Sequence, residues 1–435
     1  MPVNRVRRST ALLLAAVTVA LTAAGCGGSD SDNDVESGPV KLSFWSWVPN
    51  MDRVVDQWNK EHPKVRVELQ NIPAGPQGGY AKMFSAVKAG NAPDLAQIET
   101  DHLASFLLAD GLEDITEQTA DARDRFSDWQ WGQGVFGGRT YAVPQDSGPM
   151  GLFYRKDLFD KWGIEPPKTW EEFAKAAQRV REEDPKARIT SFGPDGTAWL
   201  AGLSWQAGAR WFGAEKDAWR VGIDDAASRK VFDYWGDLAE RDLLAIEPAF
   251  SSSWYAHLQD GTVATWVAPY WGDTILRAQA PRTAGKWRVA PLPQWEPGST
   301  VSGNWGGSTT AVMKGTDHVD AAADFALWLN SDPGALKLLA PNVGWPAARS
   351  AAGVSGTGRN ADFYGGQDIG RVFSVMDHGV SKEWKWGPTT DGLYKRMQDG
   401  LTRALSGDGD LTSVLGDMQR STVEELKSKG MEVAQ

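Results

Sequence analysis

Val40-Lys-Leu-Ser-Phe-Trp45 alternates apolar and polar side chains, the pattern of a strand with one buried face. Met51, Val54, Val55 and Trp58 then recur at the spacing of one helix face, and Pro63 stops that helix. Val65-Arg-Val67-Glu-Leu69 alternates again. A helical segment from Tyr80 to Lys88 follows, broken by Gly90-Asn-Ala-Pro93, and Asp94-Leu-Ala-Gln-Ile98 reads as a buried strand. Strand, helix, strand, helix, strand is the order of a parallel sheet with helices on its faces. Ligands of such sheets bind beyond the carboxyl ends of the strands. Here those ends are Phe44 to Trp47 and Ile98 to Asp101.

The same alternation continues outward from this core. Arg139-Thr-Tyr-Ala-Val-Pro144 and Met150-Gly-Leu-Phe-Tyr154 are strand-like runs around Gln145-Asp-Ser-Gly-Pro149. A capping box at Thr169 and Glu172 starts a helix, because each side chain can bond the amide at the other's end of the first turn. Helices are expected near 197–207, 225–240 and 253–259, and a strand over Thr262–Val267 leads into Ala268-Pro-Tyr-Trp271-Gly-Asp273. Leu411, Val414, Leu415, Met418, Thr422 and Leu426 mark one amphipathic face in a mainly helical tail. There is no solenoid or propeller period.

Composition narrows the class of molecule. The chain has 435 residues, 41% hydrophobic and 23% charged, which is globular rather than disordered. Its length suits two or three domains, or one bilobal body. A net charge of −11 argues against a nucleic-acid partner. One Cys rules out an intrachain disulfide framework and a Cys-rich metal site. That Cys follows Arg5, Arg7, Arg8, an apolar run from Ala11 to Leu21, and Thr-Ala-Ala-Gly25. A basic head and short apolar stretch form a secretory signal, too short to span a bilayer. Small residues ahead of Cys26 resemble a bacterial lipobox, which implies cleavage after Gly25 and lipidation of Cys26. Two acyl chains suffice for stable anchoring at about 0.8 kcal/mol per buried CH₂. Residues 26–38 are acidic and apolar-poor, a flexible tether. Removing residues 1–25 takes away three Arg and no acid, leaving 42 basic against 56 acidic side chains, a charge of −14 over 410 residues.

Several segments together resemble a known family. Gly90-Asn-Ala-Pro-Asp-Leu95 is similar to the G-x-x-P-D segment of family 1 extracellular solute-binding proteins, the binding lipoproteins of ATP-driven sugar importers. Gly138-Arg-Thr-Tyr-Ala-Val-Pro144 and the run from Gly151 to Phe173 match the family's central signature. Trp287 to Pro293, Gly303 to Ser308, Ala321 to Asn330 and Gly344 to Arg349 follow in the family's order. The resemblance implies a two-lobed α/β fold of the type II periplasmic-binding-protein kind, each lobe a mostly parallel sheet flanked by helices. It implies an N-terminal lobe of residues 39–144 and 304–345, and a C-terminal lobe of 145–303 and 346–435. Hinge crossings are expected near Val143–Gly148, Ser302–Gly307 and Asn342–Ala347, where Gly, Pro or Asn can absorb dihedral change. The implied function is capture of a mono- or oligosaccharide between the lobes and delivery to the permease subunits of an ABC importer. The protein would be a monomer held by lipid on the outer face of the cytoplasmic membrane. No catalysis, cofactor or metal is expected.

The chain's 22 Trp suit that reading only where they are placed to meet a ligand. A sugar presents C–H patches on its faces and hydroxyls at its edges. A Trp face covering ~50 Å² of such surface is worth about 1.2 kcal/mol. Hydrogen bonds to charged groups add about 1.5–3 kcal/mol each, so a few of both reach micromolar affinity, about −8 kcal/mol. Trp58, Trp170, Trp235 and Trp328 lie in helical patterns and are expected to pack the core. Trp47 and Trp271 follow strands, Trp305 and Trp345 sit at crossings, and Trp384 and Trp386 in Lys382-Glu-Trp-Lys-Trp-Gly387 would form a far wall. Polar candidates are Glu99 and Asp101 after the third strand, Asp146 at the first crossing, Asp273 after Trp271, and Arg349. An acidic, aromatic cleft suits a neutral sugar rather than a phosphate or uronate.

Competing classes have weaker support. Gly132-Gln-Gly134-Val-Phe-Gly137 fits G-x-G-x-x-G, but a strand follows it and not a helix, so it is no nucleotide site. There is no P-loop, HExxH or GxSxG, and the five His are far apart in sequence. An extracellular glycoside hydrolase would also use Trp platforms, with two carboxylates about 5–9 Å apart. The long helical tracts after residue 317 do not suit a (β/α)₈ enzyme. A non-catalytic surface adhesin is the third possibility, and the helix content opposes a β-sandwich module.

Overall fold

The computed structural model describes residues 39–215, 218–353 and 360–434. The expected signal, lipidation site and tether fall on residues 1–38, outside them. The first five elements are β1 (Val40–Ser46), α1 (Met51–Glu61), β2 (Val65–Asn71), α2 (Gly79–Ala89) and β3 (Leu95–Glu99). β1 pairs in parallel with β2 on one side and β3 on the other. The apolar spacing of α1 does what it predicts, burying Met51, Val54, Val55 and Trp58 against the sheet. Each such side chain contributes about 1.5–3 kcal/mol when fully buried.

The chain continues through α3 (Leu103–Leu108), β4 (Ala142–Pro144) and β5 (Met150–Arg155). β6 (Thr190–Phe192), β7 (Leu244–Ile246), β8 (Thr265–Pro269), β9 (Trp287–Pro291) and β10 (Ser308–Val312) follow. The N-terminal lobe is built on the sheet β2-β1-β3-β10-β4. The C-terminal lobe holds β8-β5-β9 and the pair β7-β6. The fold is α/β and two-lobed as expected, but the sheets are mixed rather than mostly parallel. β10 runs antiparallel to β3 and β4, and β5 runs antiparallel to β8 and β9. The cause is the route of the chain. β10 enters from the other lobe, so its first residue, Ser308, lies opposite Glu99, the last residue of β3. β5 likewise starts at the lobe junction, where β8 and β9 end, Met150 facing Pro269 and Gly151 facing Pro291. The junction therefore collects the carboxyl ends of β1, β3, β8 and β9.

Helix boundaries follow the sequence closely. Thr197–Gln206, Ala226–Glu240 and Ser252–Asp260 are helical. Thr169 Oγ1 caps the helix Trp170–Glu183 by accepting from the Glu172 amide, while Glu172 reaches back to the amide of Lys168. The last helix, Ser413–Ser428, buries Val414, Leu415, Met418, Thr422 and Leu426. No helix among the described residues is long and apolar enough to cross a membrane.

Among the described residues, three segments pass between the lobes, and they bond to one another. The Gln145 amide donates to Ser308 O, and the Ala347 amide donates to Gln145 O. Trp345 pairs with Ser147, and Pro149 bridges to Asn304. The Gly148 amide donates to Asn304 Oδ1 at 2.7 Å, and the Trp305 amide donates to Gly148 O at 2.9 Å.

Candidate functional site

A cleft of about 320 Å³ opens where the crossings meet the strand ends. It is lined by Trp47, Gln97, Glu99, Asp146, Trp271, Thr274, Ile275, Trp305 and the backbone of Gly306-Gly307, with Asn342 to Gly344 closing one side. Each position follows from local chain geometry. Trp47 is the first residue after β1, and Glu99 is the last of β3. Trp271 stands just ahead of the helix Gly272–Gln279, two residues past β8. Trp305 sits in the second crossing, beside two glycines in the left-handed region. Gln97 anchors the floor: its Oε1 accepts from Ser46 Oγ and the Trp47 amide, and its Nε2 donates to Ser308 Oγ. Three strands are thus joined at their cleft ends by one side chain.

Seven of the 22 Trp are half-buried rather than buried, and Trp47, Trp271 and Trp305 are three of the seven. The Trp271 Nε1–H donates to Trp305 O at 3.0 Å, and the two rings meet edge to face at 4.8 Å. Trp47 meets the Tyr80 ring edge to face. These half-exposed indoles have faces left for a ligand, as carbohydrate recognition requires.

The acids beside them are electrostatically unusual. Asp146 Oδ1 accepts from the Ser308 amide at 2.7 Å and Oδ2 from the Gly344 amide at 2.5 Å. One carboxylate therefore ties the first crossing to the other two. Burial pushes its pKa up to about 6, although the two amides favour the charged form. Glu99 accepts from the Tyr80 hydroxyl at 2.7 Å, and burial with the nearby Asp101 charge raises its pKa to about 7.

Beyond Glu99 lies a polar bridge between the lobes. His102 Nδ1 is 2.7 Å from Asp101 Oδ1, and its Nε2 is 2.7 Å from Asp391 Oδ1. Tyr394 donates to Asp101 Oδ2 at 3.2 Å, and Tyr80 stacks on the imidazole at 4.2 Å. Asp391 and Tyr394 belong to the helix Thr390–Leu405, whose Leu393, Met397 and Leu401 pack in the C-terminal core. Burial opposes charge on His102, but Asp101 and Asp391 outweigh it and raise its pKa well above the usual value. Glu99, Asp101 and His102 offer ligand atoms within 4.8 Å of one another, the set among the described residues that could hold a metal ion. Their atoms already bond to one another and to Tyr80, Tyr394 and Asp391, so the cluster needs no ion to be satisfied.

The sequence candidates divide by place. Trp47, Glu99, Asp146, Trp271 and Trp305 come together in the cleft, and Asp101 sits one step away in the bridge. Trp345 and Arg349 lie instead in a second groove of about 700 Å³, with Asp128, Trp129 and His378. Trp345 is buried against Tyr270, and Arg349 donates to Phe126 O at 2.9 Å. This groove is larger, but it does not lie at the carboxyl ends of the parallel strands, where side chains converge.

Three expectations are corrected. Asp273 points into the C-terminal lobe, accepting from Tyr364, Asn360 and Arg277. Trp384 and Trp386 are not a cleft wall. Both are buried, with Trp384 stacked on Trp205 at 5.2 Å and tilted against Trp211. Tyr80, His102 and Tyr394 join the site through Glu99 and Asp101, and their own spacing in the sequence carries no signal. His102 directly follows a strand end already selected, a signal that its distance from the other His concealed.

Comparison with known proteins identifies the family and the fold. Residues 45–336 match the model of the bacterial extracellular solute-binding protein family. An arabinooligosaccharide-binding protein of Bacillus subtilis is 26% identical over 346 residues, covering 76% of this chain and 78% of the relative. The galacto-N-biose-/lacto-N-biose I-binding protein of the ABC transporter from Bifidobacterium longum, solved with lacto-N-biose, superposes with a TM-score of 0.84. It is 28% identical and covers 91% of this chain and 99% of that one. An ABC transporter associated binding protein from B. animalis subsp. lactis, solved with β-1,6-galactobiose, gives a TM-score of 0.79 at 26% identity, covering 92% and 100%.

Proposed function

The chain belongs to the bacterial extracellular solute-binding protein family, and we propose that it captures a neutral mono- or oligosaccharide between its lobes for an ABC importer. The observation that carries this is the cleft wall itself: three half-exposed indoles and two carboxylates, with no Lys, Arg or His among the described lining residues. Indoles cover C–H faces, and carboxylates accept from hydroxyls. An anionic solute would meet Glu99 and Asp146 with no cationic side chain in the cleft lining to receive it. Relatives and structural neighbours that bind arabino-oligosaccharides, lacto-N-biose and β-1,6-galactobiose support the carbohydrate class.

The finer features belong to the same proposal. Ligand contacts made to both lobes bias the molecule toward closure, the lobes being residues 39–144 with 304–345 and residues 145–303 with 346–435. The closed monomer docks on separate permease subunits. No bond of the solute changes. Cys26 carries the lipid that holds the protein at the outer face of the membrane. Trp47, Glu99, Trp271 and Trp305 are the contact residues we favour, with Asp146 as the pin of the crossings.

Titration of intrinsic Trp fluorescence with arabinobiose, arabinotriose, lacto-N-biose, β-1,6-galactobiose and sn-glycerol 3-phosphate tests the reading. At least one neutral sugar should give a saturable change with a micromolar Kd and release no new reducing ends. Saturation by the phosphate alone would sink the neutral-sugar reading, and new reducing ends would point to a hydrolase. Trp305→Ala should weaken the bound sugar about tenfold, the loss of one stacking face and its neighbour's support. An unchanged isotherm would remove Trp305 from the site.

A further inference from the structure

Tyr80 touches the cleft wall and the bridge between the lobes at once. Its hydroxyl donates to Glu99 Oε2 at 2.7 Å and accepts from the Glu99 amide at 3.1 Å. Its ring meets Trp47 edge to face at 6.1 Å and stacks on the His102 imidazole at 4.2 Å. Glu99 and Trp47 line the cleft, and His102 is the N-terminal half of the bridge. The ring has no room to shift. It is 5% exposed, Phe106 meets it edge to face, and a Cβ at Gly75 would come within 2.2 Å of it. Burial and the charges of Glu99 and Asp101 push the phenol pKa well above its usual value, so the hydroxyl remains a donor.

The bridge exists only while the lobes are together. Asp101 and His102 stand between β3 and α3 of the N-terminal lobe. Asp391 and Tyr394 lie on the helix Thr390–Leu405, rooted in the C-terminal core. Separating the lobes breaks His102–Asp391 at 2.7 Å, Tyr394–Asp101 at 3.2 Å and the bond from Ser105 Oγ to Pro388 O at 3.1 Å. Against the effect of burial, Asp101 and Asp391 keep both imidazole nitrogens protonated, so both bonds of His102 are charge-assisted. Asp391 itself stays clear of the solute. Its side chain is 54% exposed, and it lines a separate groove with Leu108 and Lys429 rather than the cleft.

We propose that this bridge is a latch on the closed molecule and that Tyr80 is the positioning residue that couples it to the sugar wall. One ring holds Glu99 toward the solute and His102 toward Asp391, so lobes that have closed on sugar are also latched. The latch acts after the solute has entered, and it slows release rather than speeding capture. This inference rests on the carbohydrate reading of the cleft and adds the contact that sets residence time.

Stopped-flow Trp fluorescence with arabinobiose, arabinotriose, lacto-N-biose and β-1,6-galactobiose tests it. Asp391→Asn removes a charge at an exposed position and should leave the unfolding temperature close to that of the wild type. It should raise the dissociation rate about fivefold, by one factor for every sugar that binds, because Asp391 touches none of them. Its association rate should stay within about twofold of the wild type. Tyr80→Phe keeps the stacked ring and loses the hydroxyl. It should raise the dissociation rate about tenfold through Glu99, and adding Asp391→Asn should multiply that by a further factor of about five. Tyr80→Leu loses the ring as well, so adding Asp391→Asn to it should change little. An unchanged dissociation rate in Asp391→Asn, or a factor that differs between sugars, overturns the latch. A less than multiplicative effect in Tyr80→Phe, or a fully multiplicative one in Tyr80→Leu, overturns the coupling. Each of these leaves the carbohydrate reading standing. A wild type that binds none of the four sugars overturns that reading and this inference with it.

Discussion

Replacing Gly148 by Ala is expected to lower the folding stability by ~3 kcal/mol and to weaken sugar binding more than about tenfold. A Cβ at Gly148 would lie 1.9 Å from Trp305 O and 3.1 Å from Pro269 Cβ. The first of these is backbone, so no side-chain rotation relieves it. Trp305 cannot retreat freely. Its amide donates to Gly148 O, and its carbonyl accepts from Trp271 Nε1. The Gly148 amide is meanwhile held by Asn304 Oδ1. Overpacking in a closed site costs about 1–3 kcal/mol, and each hydrogen bond broken to relieve it costs about 1 kcal/mol. The displaced segment is also the cleft wall, which is why affinity should fall with stability. Gly132→Ala supplies the comparison. Its φ is −61°, and the nearest atom to an added Cβ is the end of Lys385 at 4.0 Å. There Ala should leave stability unchanged or raise it by ~0.4–1 kcal/mol through the unfolded state. Urea unfolding of both variants decides the matter, with small-angle scattering to report the spacing of the lobes. If Gly148→Ala unfolds as Gly132→Ala does, the crossings do not pack as described.

Much of the architecture was legible because it is local. Alternation in β1 and the Met51 to Trp58 spacing of α1 are properties of a few adjacent residues, and both elements formed where expected. The direction of β10 was not legible, because it depends on which end of the sheet the chain re-enters after a whole lobe. The same distinction separates the site residues. Trp47, Glu99 and Trp271 could be placed from the strands that precede them. Asp146 lies in a run rich in Gly and Pro, but its partners lie 162 and 198 residues away. No pattern around it shows that its carboxylate is occupied by backbone amides. Trp384 and Trp386 misled for a physical reason. They alternate with Glu383 and Lys385 in a segment without regular structure, which reads as solvent-facing, yet both indoles turn inward onto Trp205.

Stability is expected to rise as pH falls from 8 to about 5, although the chain is strongly acidic. Three carboxylates at or near the lobe junction bind protons more tightly folded than unfolded. Burial raises Glu99 to about 7 from 4.5, and Asp146 and Asp377 to about 6 from 3.8. A group whose folded pKa is raised stabilises the fold fully below its unfolded pKa, and that contribution is lost as pH rises through its folded pKa. For these three the loss falls between about pH 4 and 7. His102, raised by Asp101 and Asp391 against the effect of burial, has the same sign. Its contribution is complete below its unfolded value of about 6.5 and fades at higher pH. Asp94 and Asp157 act the other way. Burial opposes their charge, but Thr316 and Ser43 hold Asp94 low, and Arg155 holds Asp157 low. Their contribution is present above about pH 4 and lost below it, so stability should peak near pH 5. Proton uptake at the junction carboxylates should therefore raise the urea midpoint at each step down in pH across the window. Urea midpoints at pH 5, 6, 7 and 8 measure it. Glu99→Gln keeps an acceptor for Tyr80 without the charge and should flatten the profile most, because Glu99 titrates highest; Asp146→Asn should flatten it less and lower stability at every pH, because its amide places a donor against a backbone donor. Closure that withdraws water from Glu99 and Asp146 should take up protons between pH 6 and 8. A sugar that closes the lobes should therefore bind more tightly at pH 6 than at pH 8, and Glu99→Gln should remove most of that difference. A flat profile in the wild type would mean that Glu99 and Asp146 stay hydrated, and that the lobes stand open in solution.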